Sequence, residues 1–238
     1  MILLLDVGNS RLKWALASEA RIRRSGAVAH HGAPARAVRA LKVRSVESVW
    51  MAHVVGPHER RLQAAIRKRF GVVPHIARTR KACAGLRIAY ARPSRLGVDR
   101  WLGMLALWTA GHRAFCVATA GTALTFDAVD ARGRHRGGLI APGLGTAWNA
   151  VRGSTRFALP PQPSRYTRGL GTDTDACVRQ GALYACAGMI ERAARESGGR
   201  RFLAGGDAQA LEPHLDGQWT PMPDLVFRGL LAYAREQT

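Results

Sequence analysis

Two carboxylates, each set close to a glycine and a cation, are the groups of this chain best placed to do chemistry. Asp6-Val7-Gly8-Asn9-Ser10-Arg11-Leu12-Lys13 puts an acid at the end of an apolar run, directly before a glycine-bearing turn, with a lysine on the return. Glycine there lets backbone N–H groups approach a phosphate with no Cβ in the way. An aspartate beside them can hold Mg²⁺ through water, and Lys13 can face the same phosphate. Read alone, the segment would serve equally well as a surface hairpin turning on Asn-Ser. The second acid lies in Tyr90-Ala91-Arg92-Pro93-Ser94-Arg95-Leu96-Gly97-Val98-Asp99-Arg100-Trp101, just before an apolar helical pattern. Asp99 there can accept a hydroxyl proton, and Arg100 can bind a carboxylate or phosphate bidentately. A helix cap with a neighbouring ion pair would need the same residues.

The chain contains no G-x-x-x-x-G-K-[ST], which excludes the P-loop route to a nucleotide. The remaining precedent is a hairpin cradle used twice, as in the actin-like sugar kinases. A second hairpin is present: Gly121, Thr122 and Thr125 offer N–H and hydroxyl donors, with Asp127 on the return strand. Gly137 to Gly143 reads as a strand ending in a Pro-Gly turn. Leu203-Ala204-Gly205-Gly206-Asp207-Ala208 reads as a strand, a double glycine and a helix start, an arrangement that lets adenine lie against backbone. Each glycine pair also fits an ordinary turn.

The elements that must position these residues follow from the hydrophobic pattern. Residues 2–5 read as a strand, 11–17 as its return and 21–28 as a third strand. Helical patterns follow at 33–43 and 58–70, separated by the β-rich Val46–Val55, and 72–76 is a further apolar stretch. Arg95 to Gly111 predicts a helix with Leu96, Trp101, Leu105 and Trp108 on one buried stripe. Then the opening recurs: Phe115–Ala118 is a strand, Thr119-Ala120-Gly121-Thr122 a turn and Ala123–Val129 the returning strand. Laying Asp6–Asn9 over Thr119–Thr122 gives an internal repeat offset by 113 residues. Gly137–Ile140 continues the second sheet, 174–197 is a long helix, 201–204 a strand and 224–235 a closing helix. The pattern implies a duplicated α/β architecture, divided as 1–112 and 113–238.

At 238 residues, 47% hydrophobic and 22% charged, the composition is that of a globular protein. No segment approaches the ~20 continuous apolar residues of a membrane span, and Met1–Leu5 reads as a first strand and not as a signal peptide. Cys83, Cys116, Cys177 and Cys186 are scattered, without zinc-ligand spacing, which suits free thiols in a reducing cytoplasm. The net charge of +20 is uneven: residues 1–112 hold 21 basic and 5 acidic residues, against 15 and 11 in the remainder. A basic half could attract nucleic acid. Arginines interleaved with Leu62, Ala65, Ile66 and Phe70 instead suit the solvated face of an amphipathic helix, and nucleic acid is not expected as a partner.

Taken in order, these motifs resemble the type III pantothenate kinases, also called the CoaX or Baf-like family. The signatures D-x-G-N-[ST]-x-x-K, Y-x-x-P-x-x-L-G-x-D-R, D-x-G-T-A-x-T-x-D, G-G-x-I-x-P-G, G-x-x-T and P-D-L-V-x-x-G-L are similar to Asp6–Lys13, Tyr90–Arg100, the stretch ending Gly121–Asp127, Gly137–Gly143, Gly171–Thr174 and Pro223–Leu230. The resemblance implies ATP-dependent phosphorylation of pantothenate, the first step of coenzyme A synthesis. It implies a duplicated ribonuclease-H-like fold (that of acetate and sugar kinases, Hsp70 and actin), with the active site in the cleft between two lobes. By the same resemblance Asp6, Gly8, Asn9, Ser10 and Lys13 would contact the ATP phosphates, Asp6 helping to place Mg²⁺ through water. Gly121 and Thr122 would bind ATP from the second lobe. Asp99 would be the general base, and Tyr90, Gly97, Val98, Asp99 and Arg100 would hold pantothenate. Thr174 would reach pantothenate across a homodimer interface. A sugar kinase of the same fold and a Baf-like transcriptional accessory protein are the alternatives.

One position departs from the pattern. The family's aspartate at the head of D-x-G-T is Thr119 here. The resemblance implies that this carboxylate binds K⁺ or NH₄⁺ beside the phosphates, and a neutral hydroxyl would bind such an ion far more weakly. Asp127 could compensate, depending on which way it points.

Overall fold

The structure, a computed structural model, describes residues 1–18, 21–161 and 165–237. In chain order the elements are β1 (Ile2–Val7), β2 (Arg11–Ser18), β3 (Arg21–Ala29), α1 (Pro34–Arg39), β4 (Ser48–His53), α2 (Glu59–Phe70), β5 (His75–Ile76), β6 (Ala82–Cys83), β7 (Leu86–Arg87) and α3 (Val98–Thr109). They continue as β8 (Phe115–Ala120), β9 (Ala123–Val129), β10 (His135–Pro142), α4 (Leu144–Ser154), α5 (Thr174–Ser197), β11 (Arg200–Ala204), α6 (Ala208–Leu211), β12 (Thr220–Pro221) and α7 (Leu225–Arg235).

The same sheet is built twice. The first has strand order β3-β2-β1-β4-β5 and the second β10-β9-β8-β11-β12. In each, an antiparallel three-strand meander is followed by two parallel strands on the far side of its first strand. The 113-residue offset carries Ile2–Val7 onto Phe115–Ala120, the bounds of β8. Strand β1 is nearly all apolar because it is central in its sheet, and Leu3, Leu4 and Leu5 are fully buried. Edge strand β3 is largely exposed and carries Arg21, Arg23 and Arg24, which discourages pairing with another chain.

The chain divides into two compact units, one of residues 1–111 with the segment from Asp224 onward, the other of 112–223. In the first, Leu3, Leu5, Val7, Val49 and Met51 pack against Val38, Leu62 and Ile66 of α1 and α2. Ten of the twelve residues of α3 are buried, as suits a helix covered on all sides. In the second, Cys116, Ala118, Leu124 and Phe126 pack against Leu183, Cys186 and Ile190 of α5.

Several expectations shift. The closing helix α7, expected with the second half, belongs to the first unit: a Cβ on Gly229 would lie 2.2 Å from the Leu102 carbonyl oxygen, so α7 and α3 touch backbone to backbone. The helix expected from Arg95 begins at Val98, because a 3₁₀ turn over Pro93–Arg95 and extended backbone at Leu96 precede it. The 33–43 pattern yields only Pro34–Arg39. Thr119 and Ala120 are strand, not turn, since β8 pairs through them with Thr125 and Leu124. Helix α4 and the β6–β7 hairpin were not expected at all.

Candidate active site

In the first unit the β1–β2 hairpin sets Asp6 opposite Lys13, on one face of the sheet. The turn closes where Gly8 N–H donates to the Arg11 carbonyl at 3.0 Å, which leaves Asn9 and Ser10 exposed at the tip. Asp6 is half-buried at the strand end, and its carboxyl is pushed up to about 6. Desolvation is the main cause; Lys13 opposes it, and the Asp99 carboxylate adds to it. The two acids found in the sequence 93 residues apart therefore feel each other's charge.

Asp99 sits in the first turn of α3, where a helix N-terminus favours a carboxylate. Its Oδ1 accepts the Arg100 N–H at 2.9 Å. A Cβ on Gly97 would come within 2.7 Å of the same oxygen, so the glycine leaves room for the carboxylate to curl over the helix start. Arg100 is buried, and its Nη1 donates to the Tyr90 hydroxyl at 3.3 Å, with the guanidinium 6.0 Å from the ring centre. Tyr90 is fixed in turn through its backbone: Lys81 Nζ donates to its carbonyl at 2.8 Å, beside the β6–β7 hairpin. That hairpin turns on Ala84 and Gly85, both at positive φ, with Trp108 Nε1 donating to the Ala84 carbonyl at 2.8 Å. Val98 is buried, so its side chain belongs to packing and only its backbone is available to a ligand.

In the second unit the β8–β9 turn is Gly121-Thr122, with Gly121 N–H donating to the Ala123 carbonyl at 3.1 Å. The start of α4 grips this turn. The Thr122 carbonyl accepts from Gly143 N–H at 3.1 Å and from Thr146 Oγ1 at 2.6 Å. A Cβ on Gly143 would meet the Gly121 carbonyl oxygen at 1.8 Å, so what reads as a Pro-Gly turn is a backbone contact only glycine can make. The double glycine divides its work. Gly205, at φ +99°, lies against the Ala120 backbone, whereas a Cβ on Gly206 would meet nothing within 4 Å.

Thr119 and Thr125 are register partners and both are half-buried. Asp127 lies on the same face, two residues further along β9, but it is buried and accepts a hydrogen bond from His135 Nε2 at 2.9 Å. Thr174 is exposed at the first position of α5, whose N-cap Asp173 accepts from Ala176 N–H. A Cβ on Gly171 would come within 2.3 Å of the Cys177 nitrogen, which explains the glycine of that motif.

Asp6, Gly8, Asn9, Ser10, Lys13, Tyr90, Gly97, Val98, Asp99 and Arg100 thus belong to the first unit, and Thr119, Gly121, Thr122 and Thr174 to the second. One residue escaped the sequence reading. His30, at the end of β3, is buried, and its Nε2 donates to the Gly8 carbonyl at 2.8 Å.

A family profile described as type III pantothenate kinase matches residues 2–196. A type III pantothenate kinase from Nitrosococcus oceani is 33% identical, over 99% of this chain and 94% of its own. Among solved structures, one described as a Baf family transcriptional activator from Campylobacter jejuni aligns with a TM-score of 0.66 at 18% identity, covering 99% of this chain and all of that one. A structure described as a 2-dehydro-3-deoxygalactonokinase from Sinorhizobium meliloti aligns at 0.60 and 13% identity, over 99% and 96%. At such identities the two structures speak for the fold alone: the duplicated ribonuclease-H-like α/β fold of the actin-like sugar kinases.

Proposed function

The chain belongs to the type III pantothenate kinase family, and on that premise we propose that it moves the γ-phosphoryl group of ATP onto the primary hydroxyl of pantothenate, with Asp99 as general base. The product is 4′-phosphopantothenate, at the first step of coenzyme A synthesis. The observation that carries the residue roles is the meeting of two motifs in one unit: the Asp99 carboxylate stands close enough to the phosphate hairpin to raise the proton affinity of Asp6.

Tyr90 and the Gly97–Arg100 turn hold pantothenate so that its hydroxyl lies at Asp99. Asp99 takes the hydroxyl proton as the oxygen attacks the γ-phosphorus, and the bond to the β-phosphate oxygen breaks to release ADP. Lys13 and the N–H groups of the Gly8–Ser10 turn meet the charge on the transferring group. Gly121 and Thr122 are further ATP-binding residues in this reading, and the open backbone at Gly206 suits a flat adenine. Magnesium fits a site with a single carboxylate at the phosphates, since it takes one or two acids and phosphate oxygens. Asp6 would hold it through water, and the bound ion supplies charge neutralisation on the triphosphate.

A monovalent cation meets two uncharged hydroxyls at Thr119 and Thr125, and the Asp127 carboxylate is engaged by His135. We read the enzyme as independent of K⁺ and NH₄⁺. We also propose a homodimer in which Thr174 reaches the partner's pantothenate. Exposed Leu170 and Tyr184, the latter's hydroxyl accepting the Gly169 N–H at 3.2 Å, support an apolar contact there. The α5 residues Cys186 and Ile190 do not, because they are core. Among the described residues no helix is long and apolar enough to cross a membrane. A cytoplasmic location is supported by the four free cysteines.

The test is ADP release with pantothenate against a panel of sugars. Turnover with pantothenate alone is expected. Turnover with a sugar instead, or DNA binding at moderate salt with no turnover, overturns the reading.

A further inference from the structure

We propose that His30 is a positioning residue for the phosphate hairpin, holding the Gly8–Asn9 peptide so that its N–H faces the nucleotide. The proposal rests on the reading of Asp6–Lys13 as the phosphate cradle. His30 is 5% exposed and grips the turn at both ends: its Nε2 donates to the Gly8 carbonyl at 2.8 Å, and its own N–H donates to the Ser10 carbonyl at 3.2 Å. A carbonyl can only accept, so the ring must carry its hydrogen on Nε2. His30 is itself anchored, its carbonyl accepting from Ala33 N–H at 2.7 Å across a turn in which His31 and Gly32 are at positive φ.

The consequence comes from the peptide bond. A trans peptide is planar and points its C=O and N–H in opposite directions. With the Gly8 carbonyl drawn inward to a buried imidazole, the Asn9 N–H of the same peptide is aimed outward, where Asn9 and Ser10 are exposed. Without His30, the Gly8–Asn9 peptide is free to rotate, and a carbonyl oxygen facing a triphosphate would repel it. Glycine at position 8 makes that rotation easy, so a small, mobile turn needs an outside clamp. His30 Nδ1 is buried with no hydrogen-bond partner among the described residues, which leaves the Gly8 contact as the ring's polar role.

The test compares His30→Leu, which keeps bulk but cannot donate, with His30→Gln, whose amide nitrogen stands where Nε2 does. KM for ATP and for pantothenate, kcat, and the melting temperature are measured for each, with Lys13→Ala as control. His30→Leu is expected to raise KM for ATP roughly tenfold, the size one well-placed hydrogen bond supports, with KM for pantothenate unchanged. His30→Gln is expected to recover most of the loss. An equal rise in both KM values with a lowered melting temperature and no recovery in His30→Gln would mean a merely structural histidine and overturn the proposal. An unchanged KM for ATP in His30→Leu, while Lys13→Ala raises it, overturns the role of His30 and leaves the hairpin reading intact. An unchanged KM for ATP in Lys13→Ala itself overturns the hairpin reading and this proposal with it.

Discussion

Asp6 and Lys13 stand directly opposite one another across β1–β2, so the hairpin carries its acid and its base on one face. The lysine does not win: desolvation, helped by Asp99, still lifts the Asp6 carboxyl to about 6. The ligand-free enzyme therefore holds a carboxylate that folding makes harder to ionise.

That has a measurable cost. A carboxyl whose folded pKa lies above its unfolded value binds its proton more tightly when folded, so stability falls as pH rises from about 4 to about 6 and stays lower above that. Asp6→Asn removes the penalty. The variant should be more stable than the parent at pH 7–8, by at most about 3 kcal/mol for a shift of about two units and less where solvent reaches the group. The two melting curves should converge below pH 4, while kinase activity is lost. Thermal melts of ligand-free protein across pH 3–8 check this; a parent that is more stable than Asp6→Asn at pH 7 would contradict it.

Asp99→Asn should abolish turnover by ~10²–10⁴-fold, the usual loss for a general base, while ATP still binds. Because the Asp99 charge is one cause of the raised Asp6 pKa, the same variant should also move the Asp6 titration downward. Single-turnover rates and an NMR titration of Asp6 read the two effects separately. Near-normal activity would assign the base elsewhere.

Gly143→Ala should disrupt the second hairpin, since its Cβ would fall 1.8 Å from the Gly121 carbonyl. Loss of stability by several kcal/mol, or of nucleotide affinity if the turn yields, is expected, as for other forced backbone clashes. Gly145→Ala, two residues on in α4 and with open space around it, should be neutral or gain up to ~1 kcal/mol from helix propensity. Equal tolerance of both substitutions would show that the Gly121–Gly143 contact is not needed.

Activity should be nearly indifferent to replacing K⁺ by Na⁺ or choline at constant ionic strength. Thr119 and Thr125 offer oxygens without charge, and Coulomb attraction at ~3 Å is the main reason such a site fills. Thr119→Asp should introduce some K⁺ dependence. Saturable activation of the parent protein by K⁺ or NH₄⁺ would show that hydroxyls suffice.

The strands carrying the two hairpins were legible because short continuous apolar runs broken by glycine turns are local signals, and the 113-residue offset fell on the bounds of β8. Asp99 was legible as an acid behind a glycine, though why the glycine is there needed the 2.7 Å approach to its oxygen. What stayed hidden depends on contacts between distant residues. His30 looks like any strand-end histidine until its ring is seen on a carbonyl 22 positions earlier. Helix α4 was obscured by Gly145, Gly153 and Thr146, poor helix formers that tertiary packing overrides through Leu144 and Trp148. The home of α7 could not be read either, because its apolar stripe suits either core and contacts such as Gly229 against Leu102 decide.

The return of α7 to the first unit orders the events of synthesis. Residues 112–223 form a continuous stretch, so the second unit is complete in sequence once residue 223 has left the ribosome. The first unit emerges earlier but stays unfinished: Trp101 waits for Tyr233, whose ring meets it edge-on at 5.3 Å, and Leu102 waits for the bare backbone of Gly229. The unit whose translation begins first thus closes only when α7, made after the second unit, packs on α3, which needs shelter until then.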